Sequence, residues 1–120
     1  MTVAKLPMAS VLRTRTISET EGFMKALIAP DSGRILGFTM VGAEAGEVMT
    51  VVQMAMQAGF PYTVLRDSVL SHPTMAEGLN VLFSTVKPAD VDVTPKKIEN
   101  APKATADWPE TRFAVSRHMD

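Results

Sequence analysis

The sequence predicts an α+β domain in which an antiparallel sheet carries helices packed on one face. Gly22 to Ile28 and Arg34 to Val41 are rich in strand formers and flank the turn-forming run Pro30-Asp31-Ser32-Gly33. Two segments of helical period follow, Ala45 to Ala58 and Thr74 to Val86. Strands first and helices afterwards is the order of an α+β domain, not of alternating βαβ units.

The elements can be justified in chain order. Val11 to Ile17 alternates in part and is rich in threonine and arginine, so it reads as a strand. Ser18 to Glu21 make a polar turn. Gly22 to Ile28 then places Phe23 and Leu27 on one face and Met24, Ala26 and Ile28 on the other, and it pairs with Arg34 to Val41 as a hairpin. Gly42 ends that strand. The helix from Ala45 to Ala58 has Glu44 or Glu47 near its positive end and Gly59 at its stop. Its polar stripe, Glu47, Thr50, Gln53 and Gln57, is narrow, which points to burial on more than one side and to a partner subunit as one covering.

After the Pro61 turn, Thr63 is placed to cap a short helix running to about Val69. Ser71, His72 and Pro73 break the chain. Thr74 stands three residues before Glu77, the spacing of a capping box, and the last helix sets Met75, Leu79, Leu82, Phe83 and Val86 on one face. These elements define a domain over 1–86. From Lys87 to Asp120 the prolines recur, charges are mixed and no apolar stripe persists, so 87–120 reads as an extended or disordered tail in which Trp108, Phe113 and Val115 are the residues able to dock.

Composition narrows the function. The chain has 120 residues, one domain's worth, and 46% are hydrophobic, ample for one core. Twelve Lys and Arg against 13 Asp and Glu leave no charge excess to favour nucleic acid or anionic lipid. No stretch approaches the roughly 20 apolar residues of a membrane span, and Met1 to Ser10 does not read as a secretory signal, so a cytoplasmic protein is expected. The chain contains no cysteine, which excludes a thiolate nucleophile or a dithiol couple of its own. Nine methionines suit an irregular core or an adaptable interface.

Four ordered blocks carry a further pattern: Thr20-Glu21-Gly22-Phe23-Met24-Lys25, Gly33-Arg34-Ile35-Leu36-Gly37, Gly42-Ala43-Glu44-Ala45-Gly46-Glu47 and Ser71-His72-Pro73-Thr74-Met75-Ala76-Glu77. Together they resemble the dimerisation domain shared by dihydrolipoamide dehydrogenase, glutathione reductase and mercuric reductase, the FAD-dependent pyridine nucleotide-disulfide oxidoreductases. The likeness covers Val3 to about Phe83. It implies that the His-Pro-x-x-x-Glu segment supplies a histidine and a glutamate reaching across a dimer to the other subunit's flavin and sulfurs, roles that fall on His72 and Glu77. It also implies that this domain lacks the first strand and helix with which family members begin, leaving an open edge or uncovered face to be closed by self-association or a partner.

The chemistry of that pair is intelligible from the residues. Imidazole titrates near neutrality and can exchange a proton with a thiolate, and a carboxylate partner fixes its tautomer. An alternative assigns Glu77 only to the capping box and His72 to a loop. A Ser71-His72 hydrolase arrangement lacks a nucleophile elbow, and the only histidines, His72 and His118, do not make a metal set.

No Gly-x-Gly-x-x-Gly fingerprint and no Cys-x-x-x-x-Cys pair is present, so the chain is expected to bind no cofactor alone, FAD and NAD(P) being the family's cofactors. The expected role is the dimerisation portion of such an oxidoreductase, as a homodimer or with a flavin-carrying partner chain. The alternatives are a non-catalytic interaction module and the relic of a truncated gene. The cysteine pair expected near the terminus of a mercuric reductase is absent.

Overall fold

A computed structural model of the chain describes residues 1–87 together with Asp90 and Val91. The described elements are β1 (Thr2–Pro7), a 3₁₀ turn (Met8–Ser10), α1 (Leu12–Thr16), β2 (Phe23–Ile28), β3 (Ile35–Val41), α2 (Ala45–Gln57), α3 (Tyr62–Asp67) and α4 (Gly78–Ser84). The strands form one antiparallel sheet in the order β1-β2-β3. The expected hairpin is β2–β3. Its turn is closed by Ala29 and Arg34, with the Gly33 amide donating to the Ala29 carbonyl and Gly33 in the left-handed region at φ 68°.

One face of the sheet is buried. Ala4 and Leu6 of β1, Met24, Ala26 and Ile28 of β2 and Ile35 and Met40 of β3 point into the core. Above them, α2 packs against β3 and α4 against β1. The anticipated face of α4 is the one buried: Leu79, Leu82 and Phe83 are completely covered, and Tyr62 of α3 meets the Phe83 ring at 5.9 Å between centroids. Burying a side chain of this size contributes about 2–3 kcal/mol by transfer alone. Helices on one side of an antiparallel sheet are the predicted α+β architecture.

Two local expectations are corrected. Val11 to Ile17 is not a strand: the first strand lies upstream at β1, and Leu12–Thr16 is a short helix. The Thr14 hydroxyl, fully buried, lies within hydrogen-bonding distance of the Met8 and Val11 carbonyls, and Arg15 Nε donates to the Ala9 carbonyl. Such local bonds from side chain to backbone favour a turn over an extended ladder. The second correction concerns α3, which is preceded by Pro61, carries no side-chain cap from Thr63, and ends at Asp67 before an entirely exposed Val69.

Both outer strands, β1 and β3, have one edge without a strand partner among the described residues. Packing continues to Val91, which is buried, and the Thr2 hydroxyl donates to the Asp90 carbonyl at 3.0 Å. The expectation of an extended or disordered tail, with Trp108, Phe113 and Val115, otherwise lies outside the described residues, as does His118.

Candidate functional site

The segment between α3 and α4 is held from both sides. On the α3 side, the Asn80 side-chain amide lies within donor reach of the carbonyls of Leu65, Arg66 and Ser68, at 2.8, 3.1 and 3.0 Å. These contacts fix the path of the chain leaving α3. On the sheet side Gly78 lets the start of α4 close on the side chains of Met24 and Val11, because a β-carbon there would stand 2.7 Å from Met24 Cε and 2.8 Å from Val11 Cγ2. No sequence motif marks either Asn80 or Gly78.

Between these anchors, the expected capping box is formed in both directions. The Thr74 amide donates to Glu77 Oε2 at 2.9 Å, and the Glu77 amide donates more loosely to the Thr74 hydroxyl at 3.4 Å. The His72–Pro73 peptide is cis. The other carboxylate oxygen of Glu77, Oε1, lies 2.6 Å from His72 Nδ1. Capping and pairing with histidine therefore coexist on one carboxylate, each using a different oxygen.

The charge logic follows from this geometry. A carboxylate can only accept, so the Nδ1 of His72 carries the proton and the neutral ring presents Nε2 as an acceptor. The imidazole is 62% exposed, whereas the Glu77 side chain is 24% exposed. Nε2 makes no hydrogen bond among the described residues, and the side chain that carries it is largely exposed. The Thr74 amide first, and the His72 ring second, hold the Glu77 carboxyl below the ordinary carboxylate range.

A depressed folded pKa adds stability above the unfolded pKa, and that stability is lost as pH falls through the folded one. The melting-temperature advantage of the natural protein over Glu77→Gln should accordingly be full at neutral pH and should shrink once pH drops below about 4.3, the ordinary glutamate value. A constant difference across that window, measured by thermal melts from neutral to acid pH, would show that the charge of Glu77 contributes nothing.

Other chemistry is sparse. Among the described residues no group of three or more His, Cys, Asp or Glu is arranged to hold a metal ion, and no helix is long and apolar enough to cross a membrane. A groove of about 490 Å³ lies between β3 and α2, lined by Gly37, Phe38, Met49, Gln53, Met56 and Gln57. It carries no cation for a pyrophosphate, so its residues do not fit a flavin dinucleotide, and no chemical step is assigned to such a group there.

Comparison with known proteins agrees with this frame. The family model of the pyridine nucleotide-disulphide oxidoreductase dimerisation domain matches residues 1–83. The chain belongs to that family. It is 41% identical over 85 residues to the probable pyridine nucleotide-disulfide oxidoreductase RclA of Escherichia coli, covering 71% of this chain and 19% of that protein. Dihydrolipoyl dehydrogenase of Bacillus subtilis is 30% identical over 74 residues, covering 62% of this chain and 16% of the relative.

Among solved structures, the HOCl-induced flavoprotein disulfide reductase RclA of E. coli superposes with a TM-score of 0.70, at 41% identity over 72% of this chain and 20% of that one. LpdA of Mycobacterium tuberculosis, at 18% identity and a TM-score of 0.65, shares the fold. The chain thus spans about a fifth of the length of the relatives it matches.

Proposed function

We propose that this dimerisation domain supplies His72 and Glu77 to a flavin and disulfide site carried by another polypeptide segment, and that it does not turn over substrate by itself. The observation that carries this reading is the 2.6 Å contact between His72 Nδ1 and Glu77 Oε1 on a largely exposed imidazole whose Nε2 makes no hydrogen bond among the described residues. Glu77 sets the tautomer by accepting from Nδ1–H. Nε2 takes a proton from a thiol or returns one to a thiolate, and the capping box keeps the carboxylate from rotating away.

The sulfurs must come from outside, since the chain contains no cysteine. FAD and NAD(P) belong to the partner in this reading, either a second copy assembled around a flavin-bearing segment or a separate flavin-carrying chain. The outer side of the helical layer, where Val51, Met54, Phe60, Val64 and Val81 are exposed, suits such assembly. The reaction would run in the cytoplasm, where reduced nicotinamide is drawn on.

The purified chain should show no flavin absorbance and no nicotinamide-dependent reductase turnover. Stoichiometric flavin retained through gel filtration would overturn the reading that cofactor chemistry is supplied from elsewhere.

A further inference from the structure

The second face of the sheet, away from the helices, is uncovered among the described residues. Its composition follows from the register. Across the three strands it presents one row of Val3, Leu27 and Gly37, a middle row of Lys5, Lys25 and Thr39, and a third row of Pro7, Phe23 and Val41. Val3 is 51% exposed and Val41 is 53% exposed, large values for apolar residues in strands. The lysines are direct cross-strand partners, an arrangement that repels. Neither makes an ion pair among the described residues, and the Lys5 ammonium instead lies 5.4 Å from the Phe23 ring centre on the same face.

We propose that this face docks an amphipathic helix from a partner protein, with a carboxylate seated over Lys5 and Lys25 and apolar residues on either side of it. Charge selects the occupant. A second copy presenting the same face would bring four lysines together, whereas a carboxylate between two apolar residues matches the apolar, cationic and apolar rows in order. Spacing selects the element. Rows two residues apart along a strand are about 7 Å apart, so the outer rows lie about 13 Å from each other. A helix lying along the strands places residues i, i+4 and i+8 at about 0, 6 and 12 Å, so an apolar residue, an acid and a second apolar residue at every fourth position fall on the three rows.

The proposal stands apart from the reading of His72 and Glu77, which belong to the helical layer on the other side of the sheet. It is tested with the full chain and two synthetic Ala-rich helical peptides, one presenting Leu, Glu and Leu at successive fourth positions and one with Lys replacing Glu. In NMR titrations the glutamate peptide should shift amides of β1 and β2, bind about tenfold or more tightly than the lysine peptide, and weaken with added salt.

In the double variant Lys5→Glu/Lys25→Glu, which exchanges one like-charged pair for another, the preference between the peptides should reverse. Equal affinity for both peptides, shifts confined to the groove between β3 and α2, or no binding at all would each overturn the proposal. Binding to phosphatidylserine vesicles without binding of the glutamate peptide would overturn it in favour of a lipid surface. The two-peptide comparison on the unsubstituted chain decides even if the double variant does not fold.

Discussion

Gly22→Ala is expected to abolish the fold or to cost about 4 kcal/mol or more, in the exceptional range for one substitution. Gly22 sits at φ 116°, and a β-carbon there would stand 1.8 Å from the Val41 carbonyl oxygen. That carbonyl belongs to the Phe23↔Val41 pair at the end of the β2–β3 ladder, and the Gly22 carbonyl accepts the Met8 amide that follows β1. The clash therefore falls where all three strands are joined and cannot be relieved by turning a side chain.

Gly59→Ala is the matched control. Gly59 has φ 70°, but the position its β-carbon would take has nothing within 4 Å, so only backbone strain of about 1–2 kcal/mol is expected. Urea denaturation of both variants separates the effects. Equal midpoints would mean that strain alone governs Gly22.

Much of this architecture was legible because local chemistry and tertiary structure agree. The Pro30 to Gly33 turn lies between two apolar runs, and these pair as the expected antiparallel hairpin, with an irregularity between Leu27 and Ile28. Met75, Leu79, Leu82, Phe83 and Val86 are all buried, but the helix is shorter than their period suggested: α4 runs Gly78–Ser84, with Met75 in the turn before it and Val86 beyond its end. Thr74 and Glu77 have the capping-box spacing and form both bonds.

The misses have physical causes. β1 turns only Ala4 and Leu6 inward, with Lys5 between them and Pro7 at its end, so its alternation is too short to stand out from an irregular terminus. In α1, Thr14, Arg15 and Thr16, which suggested a strand, use their side chains to bind nearby carbonyls. Asn80 was invisible as a positioning residue, because its acceptors lie 12 to 15 positions earlier and are brought to it only by the packing of α3 on α4.

At the site, His72 and Glu77 were identified as a pair, yet local spacing could not show that one carboxylate serves both the cap and the imidazole. The outer face of the sheet, with Lys5 directly opposite Lys25, depended on a β1 register that the sequence pattern did not reveal.

The proton-handling role of His72 carries the other large expected effect. Its setting is a chimera in which the 85 aligned residues of the E. coli relative are replaced by those of this chain, placing His72 in a reductase with its own flavin. Glu77→Gln should keep the Thr74 cap, which needs only an oxygen acceptor, and its amide oxygen can still accept from Nδ1–H, so its deficit should be smaller than that of His72→Ala. His72→Ala should leave flavin content and the melting temperature near those of the parent chimera, because the ring is largely exposed. The decisive measurement is the steady-state nicotinamide-dependent turnover of the parent and His72→Ala chimeras. A loss of about 10² to 10⁴-fold is predicted for a missing acid–base group, and undiminished turnover by a His72→Ala chimera of unchanged flavin content would contradict the account.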